Sequence, residues 1–245
     1  MQILDGLMLG DGHLEMSKRG KNACVRITRM FSDHSYNTWL AKEFSEYNPV
    51  VIDDDYWDKR TNKTYQRSRL RLKCDDSFTI FWHKWYTNRV KHIPDDIKIT
   101  PLSLAIWFAD DGSISKIGPR QLGIKFATHS FNENEVIRLQ TLINALTGSC
   151  VKIYPDNNHF ILHGSTKSAL AVAAVIDSHC PLTRKAVVWR PLNQWERETL
   201  PPCKWCKSTF VSKFGFDAQK KQKYKCKICR KVFRDRYTRK QDEKI

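Results

Sequence analysis

The sequence predicts an α+β protein: two similar αββαββα halves, each an antiparallel sheet with its helices gathered on one face, followed by a small basic segment rich in cysteine. The first reason is an internal repeat. Leu4-Asp5-Gly6-Leu7-Met8-Leu9-Gly10-Asp11-Gly12 and Leu104-Ala105-Ile106-Trp107-Phe108-Ala109-Asp110-Asp111-Gly112 are each a short apolar helix ending in Asp-Gly, and they lie 100 residues apart. The second is that landmarks continue at the same offset. Thr28-Arg29-Met30-Phe31-Ser32 is answered by Thr128-His129-Ser130-Phe131-Asn132. A repeat this long signals a duplicated half, since solenoid units run about 20 to 50 residues. The third is that helical and strand periodicities follow one another in the same order in both stretches.

In the first half, helix 2–10 leads to strands near 13–18 and 23–30, helix 33–47, a hairpin of strands near 50–57 and 64–73, and helix 76–88. Ser32 or Asp33 offers a side-chain oxygen to cap the second helix. Phe78, Phe81, Trp82, Trp85 and Tyr86 fall at helical spacing and read as a core stripe. Along the strand before that helix, Arg67, Arg69, Arg71 and Lys73 alternate with Leu70, Leu72 and Cys74, so the cations share one face. If helices cover the other face, this row suits phosphate and base contact. Charge on an edge strand also serves to block unwanted pairing.

The second half begins after His92-Ile93-Pro94-Asp95-Asp96. Thr100 caps the next helix and Pro101 fits its first turn, where a missing N–H is harmless. Strands near 113–117 and 121–128 precede helix 133–147, where Asn132 and Glu135 form a capping box; strands near 150–154 and 159–163 lead to helix 166–178, capped by Ser165. At the 100-residue offset Val25 and Ile27 meet Lys125 and Ala127, which implies strand faces displaced by one residue. Individual base contacts of this half are therefore not assigned.

The 245 residues include eight Trp and twelve Phe within 41% hydrophobic content, ample for a packed core. No run approaches the roughly 18 apolar residues of a membrane span, and no charged-then-apolar leader is evident, so a non-secreted protein without a membrane partner is expected. The net charge is +16, and residues 201–245 hold 15 Lys/Arg against 4 Asp/Glu. A basic tail of this kind points to a polyanion, with nucleic acid as the leading class.

Cys24, Cys74, Cys150 and Cys180 are widely spaced and read as reduced thiols. The other four form Cys203-Lys204-Trp205-Cys206 and Cys226-Lys227-Ile228-Cys229, separated by 19 residues. That spacing suits a four-cysteine zinc site. The segment resembles zinc ribbons of DNA-processing proteins, in which each pair forms a knuckle around a hairpin. Pro201-Pro202 marks the junction. Lys220, Lys221, Lys223, Lys225, Arg230, Lys231 and Arg234 supply phosphate contacts, which add affinity and salt dependence rather than sequence information.

The paired tips carry the chemistry. A carboxylate at a helix C-terminus meets the negative end of the macrodipole, at a cost of about 0.3 to 1 kcal/mol, so propensity alone would not place it there twice. One such tip would read as an ordinary turn. Two, with matching landmarks downstream, call for a positive partner, and a divalent metal ion is the natural candidate. Gly6 and Gly10 lie one turn apart and permit close approach of a second helix. Ile106 and Asp110 occupy those positions in the second copy, whose small residues are Ala105 and Ala109.

Both helices resemble the signature of LAGLIDADG homing endonucleases, and the resemblance runs from residue 1 to about 192. It implies two packed motif helices at the centre of a saddle on double-stranded DNA. Asp11 and Asp111 occupy the signature's second acidic position and would each present a carboxylate to magnesium or manganese, with Asp110 in support. It also implies a basic residue near each centre, for which Lys91 and Lys185 are the candidates. Phosphodiester hydrolysis requires charge neutralisation, an activated water and a stabilised leaving oxygen, which metal ions about 3.5 to 4 Å apart supply. Magnesium suits one or two carboxylates plus phosphate.

The resemblance thus implies a monomer of three parts, 1–92, 93–200 and 201–245, making a double-strand break across the minor groove at a long asymmetric site. The alternatives are an intron maturase, whose partner is intron RNA, and a non-cleaving regulator on the same fold. The expected compartment is the cytoplasm, or an organelle matrix if the gene lies in an organelle intron.

Overall fold

Leucine and methionine surround α1 (Gln2–Leu9), a helix whose Leu4, Leu7, Met8 and Leu9 are all buried. A helix apolar on every side belongs inside a protein. Its repeat, α4 (Pro101–Asp111), is likewise buried from Ser103 to Asp110. The two pack against one another at the centre of the hydrophobic core. In this computed structural model the described residues are 2–16, 21–118, 121–179, 201–208, 211–219 and 221–234. The chain divides into two compact units, residues 1–192 and 193–245.

In the first unit, α1 is followed by β1 (His13–Met16), β2 (Ala23–Met30), α2 (His34–Glu43), β3 (Val50–Asp58), β4 (Lys63–Arg71) and α3 (Asp76–Trp85). After a two-stranded hairpin, β5 (Tyr86–Thr87) and β6 (Val90–Lys91), the order repeats. It runs α4, β7 (Gly112–Gly118), β8 (Gln121–Ala127), α5 (Glu133–Thr147), β9 (Lys152–Asp156), β10 (His159–Gly164) and α6 (Thr166–Ile176). The sheets have matching antiparallel orders, β1-β2-β4-β3 and β7-β8-β10-β9. Both halves are therefore αββαββα, as the sequence predicts.

Local chemistry sets the helix ends. Asn132 and Glu135 form the expected capping box on α5, and Thr100 forms one on α4 with Ser103. Ser165 stands at the start of α6 without a side-chain capping bond. A short 3-10 turn, Phe31–Asp33, precedes α2, and Asp33 makes no capping bond to it. The aromatic stripe of α3 is core, with Trp85 fully buried and Trp82 stacked on Tyr86 at 5.5 Å. This helix stops at Trp85 rather than running to 88, because Asn88 and Arg89 both adopt positive φ and turn the chain back as the β5-β6 hairpin.

Each sheet has one covered face. Ile27 and Leu70 pair across β2 and β4 on the face toward the helices, while Arg26 with Arg71, and Thr28 with Arg69, pair on the other. In the second half the covered face carries Leu122, Ile124 and Phe126, so the inward set falls on even rather than odd residues. Leu14 pairs with Val25, whereas Ile114 pairs with Ile124. The path between these paired residues is one residue shorter in the second half, 10 against 11, which produces the displacement expected from sequence. As a result Arg29 stands where the second half has Thr128, and both are buried.

The second unit contains β11 (Val211–Phe216), β12 (Gln222–Cys226) and β13 (Val232–Arg234) in one antiparallel sheet. Its small core comprises Cys203, Val211, Cys226 and Phe233. Among the described residues, no helix is long and apolar enough to cross a membrane.

Candidate active site and cysteine cluster

Glycine decides how closely α1 and α4 meet. A Cβ on Gly6 would lie 2.6 Å from Ile106 Cβ, and one on Gly10 would lie 2.4 Å from Asp110 Cβ. The second copy's larger Ile106 and Asp110 thus fill the space left by the first copy's glycines. This is the packing role expected of Gly6 and Gly10, achieved by complementary rather than identical faces.

That contact brings the motif tips together. Asp111 ends α4, and Asp11 follows α1 with a side chain 47% exposed. Asp110 is buried beside them, and its Oδ2 accepts a bond of 3.1 Å from the Asp11 backbone N–H. Arg29 reaches up from β2: its Nη1 donates to Asp11 at 3.1 Å and its Nη2 to Asp110 at 2.6 Å. The Tyr36 ring lies 4.5 Å from the guanidinium carbon. Burial pushes the Asp110 carboxyl up to about 7, although Arg29 pulls against it. Burial alone would lower the Arg29 pKa, but the Asp110 charge, Tyr36, the Asp11 charge and the hydrogen bond to Asp110 together outweigh it and hold the guanidinium positive.

Lys91 reaches the same place from β6. Its Nζ donates to the backbone oxygens of Gly10 and Gly12, at 3.1 and 3.3 Å. Burial lowers its pKa, while Asp111, Asp110 and Asp11 all act to raise it. One ammonium therefore senses all three carboxylates. Lys185 lies outside the described residues.

Sequence reasoning missed Arg29. Along β2, buried Val25, Ile27 and Arg29 alternate with exposed Arg26, Thr28 and Met30, so Arg29 breaks the rule that cations face solvent. The available signal was an arginine on the apolar face of an amphipathic strand. Such a residue needs a buried anion.

The predicted row of cations is partly neutralised. Arg67 and Arg69 lie on the uncovered face of β4, and both bind Asp54 of β3, at 2.9 and 2.8 Å. Arg71 is exposed there, whereas Lys73 lies past the end of β4, and Cys74 is exposed rather than facing inward. Arg26 pairs with Glu15 on the same face. In the second half, Lys125 and His129 converge on Asp156 of β9, each at 3.1 Å.

The four cysteine sulfurs of the second unit lie within 4.8 Å of one another. Both pairs use one backbone scheme: Cys203 N–H donates to Ser208 O, and Cys226 N–H donates to Lys231 O. Lys207 and Arg230, each following the second cysteine of its pair, share a left-handed conformation with φ of 57° and 59°. Burial opposes ionisation of Cys203, yet backbone N–H groups of Cys206 and Trp205 and the thiols of Cys229 and Cys206 together outweigh it and bring the thiol down to about 6. Four convergent sulfurs, one readily a thiolate, form a donor set suited to zinc. Lys223 and Lys225 lie on β12, and the Lys231 ammonium sits 5.4 Å from the Trp205 ring.

Comparison with known proteins places this geometry in context. The chain is 28% identical over 179 residues to cytochrome b mRNA maturase bI2 of Saccharomyces cerevisiae, covering 66% of this chain and 41% of that protein. It is 29% identical over 149 residues to the protein of the same name from Debaryomyces hansenii, covering 59% of this chain and 55% of that one. It thus spans about half the length of these curated relatives. The fold is similar to that of the homing endonuclease I-WcaI bound to its DNA recognition sequence, with TM-score 0.67 and 20% identity, over 73% of this chain and 80% of that one. It is also similar to I-GzeII in complex with DNA target, with TM-score 0.51 and 11% identity, over 79% and 88%. The pattern of the LAGLIDADG DNA endonuclease family matches residues 1–169, and the chain belongs to that family.

Proposed function

We propose that the first unit is a divalent-metal-dependent DNA endonuclease that makes a double-strand break at a long asymmetric site. The observation that carries this reading is the meeting of Asp11 and Asp110 on Arg29, with Lys91 on the Gly10 and Gly12 carbonyls, at the join of two helices from two similar halves. Asp11 is accessible to a hydrated ion and Asp111 ends the facing helix, so the donor set fits magnesium or manganese. Bound there, the metal would supply charge neutralisation and an activated water.

The chain's own residues have separate tasks. Arg29 orients the Asp11 carboxylate and compensates buried Asp110. Lys91 holds the Gly10 and Gly12 carbonyls and keeps positive charge where phosphoryl charge develops. Lys185 is the candidate for the equivalent task at the second centre. Arg67, Arg69 and Arg71 would face duplex DNA from the first sheet, with Lys73 beside it. Halves 1–92 and 93–200 within one chain let a monomer read unlike half-sites, and 201–245 adds a zinc-bound ribbon.

The likeness to yeast mRNA maturases supports a second reading, in which the protein binds intron RNA, alone or alongside cleavage, in an organelle. The test is selection of cleaved sites from a randomised duplex library with magnesium, comparing wild type with Asp11→Asn and Asp111→Asn. Cleavage by wild type and its loss in both variants is expected. Retained double-strand cleavage in both would overturn the assignment.

A further inference from the structure

We propose that the outer face of the second unit's sheet binds single-stranded nucleic acid, stacking an unpaired base on Phe214 between Lys223 and Lys225. The pairing register separates two faces. Val211 with Cys226, and Tyr224 with Phe233, lie toward the cysteine cluster. Lys223 with Arg234, and Lys225 with Val232, lie on the opposite face. On that face, in the edge strand β11, Phe214 is 46% exposed. The ammonium groups of Lys223 and Lys225 stand 5.9 and 5.1 Å from its centroid.

Local geometry presents the ring. The register of β11 and β12 shifts between Lys213 and Phe216, where Gly215 takes φ of 65°. A bulge with glycine in this conformation kinks the strand and re-aims its side chains. Phe216, just beyond it, is 64% exposed. A unit with so small a core thus leaves two phenylalanines in water. Single exposed aromatics are commonplace. This one lies on a sheet and is flanked by cations.

Charge and shape together select the occupant. Residues 201–234 carry eleven Lys/Arg and one carboxylate, Asp217. That carboxylate is engaged by Arg234 at 2.7 Å and by the N–H groups of Gln219 and Lys221. The surface is therefore fitted to a polyanion. Lysines alone would suffice for duplex phosphates, where the base faces are hidden by stacking. An aromatic ring on a sheet between lysines adds a platform that only unpaired bases use, and each such stack is worth about 1 to 3 kcal/mol.

The test uses the full zinc-loaded chain and fluorescence anisotropy with labelled oligo-dT, oligo-U and a duplex, each of about 15 nucleotides. Phe214→Leu removes the flat ring while keeping an apolar side chain, and Phe214→Tyr restores the ring. Zinc content is measured on each. We expect Phe214→Leu to weaken binding of a single strand by about tenfold or more, Phe214→Tyr to bind like wild type, and duplex affinity to change less than about twofold in both. Lys223→Gln with Lys225→Gln should also flatten the single-strand salt dependence, by about 1.4 in log–log slope. Oligo-dT and oligo-U report whether DNA or RNA supplies the strand. Phe214→Leu with full zinc binding both single strands as tightly as wild type would overturn the proposal, as would equal losses for duplex and single strands. Neither result depends on whether the first unit cleaves DNA.

Discussion

Gly10 at the end of α1 and Asp110 near the end of α4 meet so closely that a Cβ on the glycine would stand 2.4 Å from that of the aspartate. One turn back, Gly6 leaves the same room for Ile106 and the Ser103 carbonyl. A side chain here would have to push back either another side chain or backbone, so the helices must separate. Gly6→Val should destabilise the first unit by about 1 to 3 kcal/mol or more, measured by urea unfolding. Because separation also moves the motif tips, the proposed nuclease activity should fall further than the loss of folded protein explains. An activity loss equal to the folded fraction would count against shared control of packing and site geometry.

Arg29 and Asp110 form a pair whose side chains are 5% and 0% accessible. Removing one member of such a pair strands the other in a low-dielectric interior. Arg29→Leu should cost about 3 to 5 kcal/mol in chemical unfolding. Adding Asp110→Asn should recover part of that loss, with a coupling of about 0.5 to 3 kcal/mol in a double-mutant cycle. Strict additivity would mean that the two charges do not support one another.

How much of this was legible beforehand depends on the range of the cause. The αββαββα order, the capping box of Asn132 with Glu135 and the clustering of Cys203, Cys206, Cys226 and Cys229 follow from short spacings, and the structure has them. The displacement by one residue also showed in sequence, because Lys125 falls where Val25 had been. The alternation of β2 hinted that Arg29 turns inward, but its pairing with Asp110 was not legible, since that carboxylate is 81 residues away. The Asp54 link to Arg67 and Arg69 was hidden for a related reason: β3 reads as a strand, but its register across from β4 is set by pairing. The end of α3 at Trp85 depended on positive φ at Asn88 and Arg89, where a helical aromatic pattern concealed the turn.

Asp5 provides a pH-dependent test remote from the motif tips. Burial raises its carboxyl pKa, only partly offset by the charge of Lys84. A raised folded-state pKa means that its contribution to stability is present below the ordinary carboxylate range and is lost as pH rises through the raised value. Asp5→Asn should therefore gain unfolding free energy relative to wild type as pH rises from about 4, the ordinary carboxylate range, through the raised value. A constant difference between the two proteins across that window would reject the shift.

In the second unit, the core of Val211 and Phe233 around Cys203 and Cys226 is too small to persist alone, so a metal held by the four sulfurs would be structural. About one zinc per chain is expected by metal analysis of the reduced protein. Chelation should abolish the ribbon's near-ultraviolet dichroism while leaving the unfolding of the first unit unchanged. Cys226→Ser should do the same without chelator. Full retention of that signal in metal-free protein would show that the four sulfurs are not structural ligands.

On each sheet, an aspartate of an edge strand gathers basic side chains: Asp54 of β3 holds Arg67 and Arg69, and Asp156 of β9 holds Lys125 and His129. Hydrogen bonding from Arg67 holds the Asp54 carboxyl below its usual range, so it is an anion under any ordinary assay condition. If these faces meet DNA, the aspartates tax every phosphate contact their partners make. Asp54→Asn should then strengthen binding to non-specific duplex and steepen its salt dependence by about 0.9 in log–log slope for each additional phosphate neutralised. Asp156→Asn should act in the same direction through Lys125. Unchanged slopes in both variants would place the DNA elsewhere, whereas weaker binding confined to one sequence would make the carboxylates readers of base edges, accepting from a cytosine amino group.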